Sequence, residues 1–235
     1  MIKIGCCGFP VKKADYYREF QLVEVQNTFY DIPRFTLYEK WRKESPETFE
    51  FTVKAWQVIT HPVNSPTYRR MKEKWGNPEN YGYFRPTPEV KEGWRRTREV
   101  AEILGARIIV FQTPPSFHAN LQNKENLKNF FQQIAGGENF IFALELRGKW
   151  EEEEKKEIME ELGLLHVVDP FREKSLCGEF QYFRLHGIGS YNYKYSEEEL
   201  YQLKYWCEEK DTYCLFNNTF MWESALRFKK LMEGG

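Results

Sequence analysis

The amino-acid sequence predicts a (β/α)8 barrel. Eight short runs of apolar, β-branched or aromatic residues recur along its 235 residues, and helical signals lie between most of them. An open doubly wound sheet is excluded by the end of the first run, Gly5-Cys6-Cys7-Gly8, which is not a G-x-G-x-x-G phosphate loop. No Pro/Gly-rich linker interrupts the alternation, so residues 1–235 read as one domain.

In chain order, the predicted strands are Ile2–Gly8, Leu22–Phe29, Phe49–Trp56, Arg107–Thr113, Phe140–Arg147, Leu164–Asp169, Tyr182–Gly187 and Tyr213–Asn218. Thr87-Pro88 reads as an N-cap with proline at the first helical position, opening a helix that Gly105 stops. Asn123 is the expected cap of Lys124–Ala135, ended by Gly136-Gly137, and Lys149–Leu162 is expected to stop at Gly163. Ser196-Glu197-Glu198-Glu199 is a capping box opening Glu197–Glu209, and Trp222–Met232 closes the chain. Phe171–Phe180 is too short for a full helix, which makes the connection after the sixth strand irregular.

Composition narrows the function classes. Hydrophobic residues make up 41% of the chain and charged residues 29%, enough apolar content to build a core and too much for intrinsic disorder. No apolar run reaches the ~20 residues a membrane span needs, and Met1-Ile2-Lys3-Ile4 lacks a signal-peptide profile. A cytoplasmic protein without membrane contact is therefore expected. The net charge of -1 excludes a globally basic, histone-like binder but leaves room for a local basic patch. No pair among the five cysteines has C-x-x-C spacing, so they read as buried hydrophobes in a reducing compartment. Aromatic residues reach 17%, a surplus that can line a binding cleft.

Strand residues of a barrel alternate between its interior and the helix layer, and chemistry gathers at the C-terminal rim. That alternation groups Glu24, Gln26 and Thr28 on strand two, Thr52 and Lys54 on strand three, and Ile108, Val110 and Gln112 on strand four. It groups Ala143, Glu145 and Arg147 on strand five and Tyr182, Arg184 and His186 on strand seven. Strand six ends in Asp169 and strand eight in Asn217-Asn218. Their apolar neighbours need the helix layer, so the polar set faces the barrel axis. Unpaired buried charges cost several kcal/mol each, so these groups must pair with one another, a metal or a ligand.

These residues carry a resemblance. Ile4-Gly5-Cys6-Cys7-Gly8, Val23 to Tyr30, Phe51-Thr52-Val53-Lys54 with Thr60-His61, Gln112 to Phe117, Glu145-Leu146-Arg147, Arg184-Leu185-His186-Gly187 and Phe216-Asn217-Asn218 together resemble the YecE-like family. It is a domain of unknown function with a TIM-barrel fold and no settled activity. The resemblance implies the barrel and its pocket, not a reaction. It also marks three departures, since the family usually has Ser at position 7, Asn at 26 and His at 148, where this chain has Cys7, Gln26 and Gly148.

Read by charge, the rim offers Lys54, Arg147 and Arg184 to clamp an anion, with arginine forks suited to phosphate or carboxylate. Glu24, Glu145 and Asp169 serve as bases or as ligands of a divalent metal with His61 or His186, though no local metal motif supports the metal. His186 suits proton transfer, while His118 and His166 read as structural. Gln26, Thr28, Gln112, Asn217 and Asn218 complete the expected substrate contacts. Residues 57–98 place nine Lys/Arg against four Glu, with Trp75 among several interleaved aromatics. That mixture suits a single-stranded nucleic acid or another phosphorylated ligand; it equally suits a solvated helix with an aromatic cluster. Tyr191 extends the same rim. The leading expectation is an enzyme hydrolysing a nucleic-acid or nucleotide phosphoester. A sugar or sugar-phosphate isomerase and a non-catalytic module binding an anionic small molecule are the alternatives, and no obligate protein partner is evident.

Overall fold

The computed structural model describes residues 1–234 apart from 33, 73 and 135–139. Eight strands, β1 (Ile2–Cys7), β2 (Leu22–Val25), β3 (Glu50–Lys54), β4 (Ile108–Gln112), β5 (Ile141–Glu145), β6 (Leu165–Val168), β7 (Gln181–Leu185) and β8 (Thr212–Phe216), pair in parallel and in chain order. β8 pairs with β1 and closes the barrel. Helices α1 (Lys13–Glu19), α2 (Asn27–Tyr30), α3 (Thr36–Glu44), α4 (Gln57–Thr60), α5 (Pro88–Leu104), α6 (Leu121–Ile134), α7 (Glu152–Glu161), α8 (Glu197–Glu208) and α9 (Met221–Glu233) form the connections.

The barrel interior is layered by the two-residue period of its strands. Lys3 bonds Glu50 and the Tyr213 hydroxyl near the N-terminal end. Above them Leu22, Ile108, Val110, Ala143, Val167 and Leu215 fill the centre. Polar residues occupy the C-terminal layer. The alternate residues, such as Val23, Phe51, Val53, Ile109, Phe111 and Leu144, bury against the helices. Tyr16 of α1 ties the first two strands, accepting from the Cys6 amide at 2.7 Å and donating to the Leu22 carbonyl at 2.8 Å.

The local signals at α5 and α8 act as the sequence indicates. Thr87 caps α5 through the Val90 amide, Pro88 opens it, and Gly105 ends it with φ +65°, the left-handed conformation that glycine adopts without penalty. Ser196 and Glu199 form the capping box of α8. Elsewhere the boundaries move. β2 stops at Val25, four residues short of the expected Phe29, because Gln26 turns into the helical region and residues 27–30 make the single turn α2. Thr28 locks this turn by donating to the Val25 and Lys54 carbonyls. The cap of α6 is Asn120 rather than Asn123, since the Asn120 side chain accepts the Asn123 amide at 2.9 Å. Gly136-Gly137, the expected stop of that helix, lies outside the described residues. α7 begins at Glu152, three residues after the expected Lys149. The connection 170–180 is irregular, as its length implies.

All five cysteines are free. Among the described residues no helix is long and apolar enough to cross a membrane.

Candidate active site

Strand alternation brings Glu24, Lys54, Gln112, Glu145 and Arg184 to one interior layer at the C-terminal end of the barrel. Arg184 stands at its centre with no exposed surface. Its guanidinium grips both oxygens of Glu24, Nε to Oε2 at 3.1 Å and Nη2 to Oε1 at 2.9 Å. Its Nη1 donates to Gln112 Oε1 at 2.9 Å and to Glu145 Oε2. The Tyr182 hydroxyl donates to Glu24 Oε2 at 2.9 Å and lies 2.8 Å from Thr52 Oγ1, and Gln26 donates to Glu24 Oε1. One buried arginine thus pairs with two carboxylates, Arg147 supplies the second positive charge at Glu145, and hydrogen bonds from Tyr182 and Gln26 complete Glu24.

Because Arg184 is spent on Glu24 and Glu145, it supports the site from below instead of clamping a ligand. Glu24, equally sealed, is no free base. The guanidinium also lies between the two carboxylates, where a bridging dication would sit. Among the described residues no three His, Cys, Asp or Glu side chains converge on a metal position.

A second layer reaches the surface. Arg147 Nε donates to Glu145 Oε1 at 2.6 Å, and its Nη2 lies 2.8 Å from His186 Nε2. Asp169, one residue past β6, accepts the His186 amide at 2.9 Å and stands 3.5 Å from His186 Nδ1. Arginine always donates, so His186 presents the Nε2 lone pair to Arg147 and keeps its proton on Nδ1, toward Asp169. The Tyr191 ring meets the His186 ring edge-on, 5.8 Å away, from a loop whose side chain is half exposed. Glu145, Arg147, Lys155, Asp169, Arg172 and His186 line a cavity of about 400 Å³.

Charge and burial set the protonation states. Burial pushes Glu145 up, but Arg184, Arg147, His186 and Lys54 outweigh it and hold the carboxyl well below its usual range. Burial lowers His186 below the usual imidazole value, partly offset by Glu145 and Asp169, and so favours its neutral form. Burial, with help from Arg184 and Arg147, pushes Lys54 down to about 7. His61, buried beside the Lys54 and Arg147 charges, falls to about 3. Its Nδ1 lies 2.7 Å from Thr60 Oγ1 and its ring packs against Phe29.

The other expected contacts divide. Asn217 continues the inward register of Tyr213 and Leu215 and is half-buried. Asn218 points the other way, donating to the Tyr193 carbonyl at 2.6 Å, and so anchors the loop after β7. Thr28 is consumed by backbone carbonyls. Trp75 leaves the mouth altogether and lines a groove with Trp56, Arg34 and Lys72 between the loop after β2 and α5. Most of the basic, aromatic stretch around it builds the helix layer. Tyr81 and Phe84 are buried, Trp94 packs on Phe111 and Phe142, and Arg95, Arg96 and Arg98 pair with Glu92, Glu99 and Glu102 along α5. His166 is structural, accepting the Leu176 amide, and exposed His118 accepts the Lys149 amide.

Sequence reasoning missed Lys155 and Arg172 at the cavity edge. Arg172 had a weak signal, three residues beyond Asp169 and 3.7 Å from it; Lys155, on α7, had none.

Fold and site together define a TIM-barrel protein with a charged pocket at the C-terminal mouth. The chain belongs to the family described as protein of unknown function DUF72, whose sequence model matches residues 12–234, in line with the resemblance its strand-end motifs carry. It is 27% identical to UPF0759 protein YunF of Bacillus subtilis (strain 168) over 284 residues, covering 99% of this chain and 94% of YunF. The crystal structure of the DUF72 family protein EF0366 from Enterococcus faecalis V583 superposes with a TM-score of 0.75 at 20% identity, over 99% of this chain and 98% of that one. In fold alone the barrel also resembles endonuclease IV from Thermus thermophilus, with a TM-score of 0.53 at 13% identity over 95% and 93% of the two chains.

Proposed function

We propose that the mouth cavity is the active site of a hydrolase acting on phosphate-bearing substrates, with nucleotide or nucleic-acid phosphoesters as the substrate class. The observation that carries this reading is the line Asp169–His186–Arg147 at the cavity wall, with 2.9 Å from Asp169 to the His186 amide and 2.8 Å from His186 Nε2 to Arg147. Asp169 orients the imidazole. On binding, a phosphoryl oxygen draws the Arg147 Nη2 donor away from Nε2. The freed neutral Nε2 takes a proton from water, whose oxygen attacks phosphorus, and the protonated imidazole returns that proton to the departing ester oxygen. Arg147, with Arg172 at the rim and Lys155 in its pair with Glu173 behind it, holds the phosphoryl oxygens and the charge that develops on them.

The test is cleavage of bis(p-nitrophenyl) phosphate and of labelled single-stranded DNA and RNA, with Mg2+, Mn2+ or Zn2+ supplied in turn. Turnover lost in His186→Asn, at unchanged thermal stability, supports the reading. A panel left intact under every condition counts decisively against it.

Lys54 favours a second reading, a sugar-phosphate isomerase in which its amine is the enolising base. Solvent deuterium incorporated into a recovered sugar phosphate, without hydrolysis, would replace the first reading by this one.

A further inference from the structure

Lys54 is a buried titratable group that phosphoester hydrolysis does not use. Its ammonium enters the barrel from the end of β3 and is almost wholly enclosed. Within 4 Å of Nζ no carboxylate oxygen is present among the described residues, because Glu24 and Glu145 both face Arg184. Nζ donates to Gln112 Oε1 at 3.1 Å and lies 3.7 Å from the centre of the Phe29 ring. The same Gln112 oxygen accepts Arg184 Nη1, and these two donors fix which end of the amide faces the lysine. Arg184 and Arg147 repel the charged form, and burial removes its water.

We infer that Lys54 is a nucleophilic amine that forms an imine with an aldehyde or ketone bearing an anionic group, the carbonyl carbon meeting Nζ and the anion meeting Arg147. A buried lysine with no carboxylate in contact among the described residues, where burial and two guanidiniums outweigh the attraction of Glu24 and Glu145, is the environment that turns an ammonium into a nucleophile. The Nζ lone pair adds to the carbonyl carbon. The carbonyl oxygen takes both Nζ protons and leaves as water, so a C=N bond replaces C=O with no change in oxidation state. Phe29 covers one side of Nζ and Gln112 fixes its direction. The inference goes beyond both readings above and requires neither, since phosphoester cleavage depends on His186 and enolisation needs no covalent bond.

The experiment is reductive trapping of the full-length protein with pyruvate, glyceraldehyde 3-phosphate and ribose 5-phosphate, each with sodium borohydride, followed by peptide mass mapping. Burial and the neighbouring guanidiniums push Lys54 down to about 7, against about 10.4 for an ordinary exposed lysine. The expected result is a saturable reduced adduct on the Lys54 peptide from at least one carbonyl, at about tenfold or more the level on exposed Lys12 or Lys72. The adduct should vanish in Lys54→Met while the weak labelling of Lys12 persists. Lys54→Arg provides the same control should the Met variant fail to fold. Labelling of Lys54 no higher than that of Lys12 with all three carbonyls overturns the inference, and leaves the hydrolase reading to its own test.

Discussion

The backbone at Gly148 runs so close to the Phe117 carbonyl that a Cβ added there would lie 1.8 Å from the carbonyl oxygen. Lys149 and Ala119 hold the two segments together, the Ala119 amide donating to the Lys149 carbonyl at 3.0 Å and the Lys149 amide to His118 Nδ1 at 3.1 Å. The loop after β4 occupies the space that a side chain at 148 would need. The histidine that the family resemblance places at this position is therefore incompatible with this backbone, and the imidazole lining the mouth cavity is that of His186.

Gly148→His should accordingly destabilise the protein instead of restoring a family feature. A contact this short with backbone must be relieved by moving a whole loop, at a loss of about 2 kcal/mol or more. Urea unfolding checks it; a variant as stable as the parent would show that the loop yields freely. Gly148→Ala should show most of the same loss, because the clash begins at Cβ.

Arg184→Met tests the buried network. It leaves Glu24 without its cation and Glu145 with Arg147 alone, and truncating one partner of a buried ion pair costs about 3–5 kcal/mol. Adding Glu24→Gln should recover part of that loss, since the amide carries no charge to strand. A double-mutant cycle read by denaturant unfolding gives the coupling, and additive losses would show that the 2.9 Å contact between Arg184 and Glu24 contributes little.

The inward set Lys54, Glu145, Asp169, Arg184 and His186 was legible because a strand's period of two needs no knowledge of loops. Cα register then puts Gln112 opposite Glu145 without further information. Thr28 was misplaced by the same rule, since the period holds only while the strand lasts and β2 ends at Val25. The residues Asn120 to Asn123 contain two equally good caps, and only packing of the helix decides for Asn120. Trp75 illustrates the other limit. Basic and aromatic residues interleave alike in a ligand groove and in a helix layer, and the tertiary contacts of Trp94 and Phe84 decide between them. The pairing of Arg184 with two carboxylates was foreseeable as one option among several, but its depth below the mouth was not.

Acid sensitivity follows chiefly from two buried imidazoles, to which His186, also lowered by burial, adds in the same direction. Burial depresses His61 to about 3 and His166 to about 4, against 6.5 for the ordinary group. Below pH 6.5 the unfolded chain binds protons at both positions while the folded chain does not, so stability falls as pH falls toward 4. Glu145, held well below the usual carboxylate range, adds loss in the same direction as pH drops through 4.5 and beyond. The combined effect between neutrality and pH 4 is several kcal/mol, at about 1.4 kcal/mol per pH unit per proton. Unfolding free energies measured at half-unit steps should slope upward with pH from 4 to 6.5. The double variant His61→Gln, His166→Gln should flatten that slope above pH 5, and an unchanged slope would place the titrating groups elsewhere.

Asp169 and His186 should separate in their effects on phosphoester turnover. His186→Asn removes the base outright, and general-base catalysis is worth about 10²- to 10⁴-fold in rate. Asp169→Asn leaves the imidazole present but replaces the acceptor of the His186 amide, and the carboxylate 3.5 Å from Nδ1, with a group that can present N–H instead. Its loss in kcat should therefore be smaller and should come with a changed pH profile. Because the folded imidazole titrates below its ordinary value, the rise of kcat with pH in the parent should be centred below pH 6.5. Removing the Asp169 charge strips away a factor that favours the imidazolium, which moves that rise to still lower pH. The pH dependence of kcat for both proteins decides the matter: a rise centred above pH 6.5 in the parent, or an Asp169→Asn profile displaced upward, would remove His186 from the role of base.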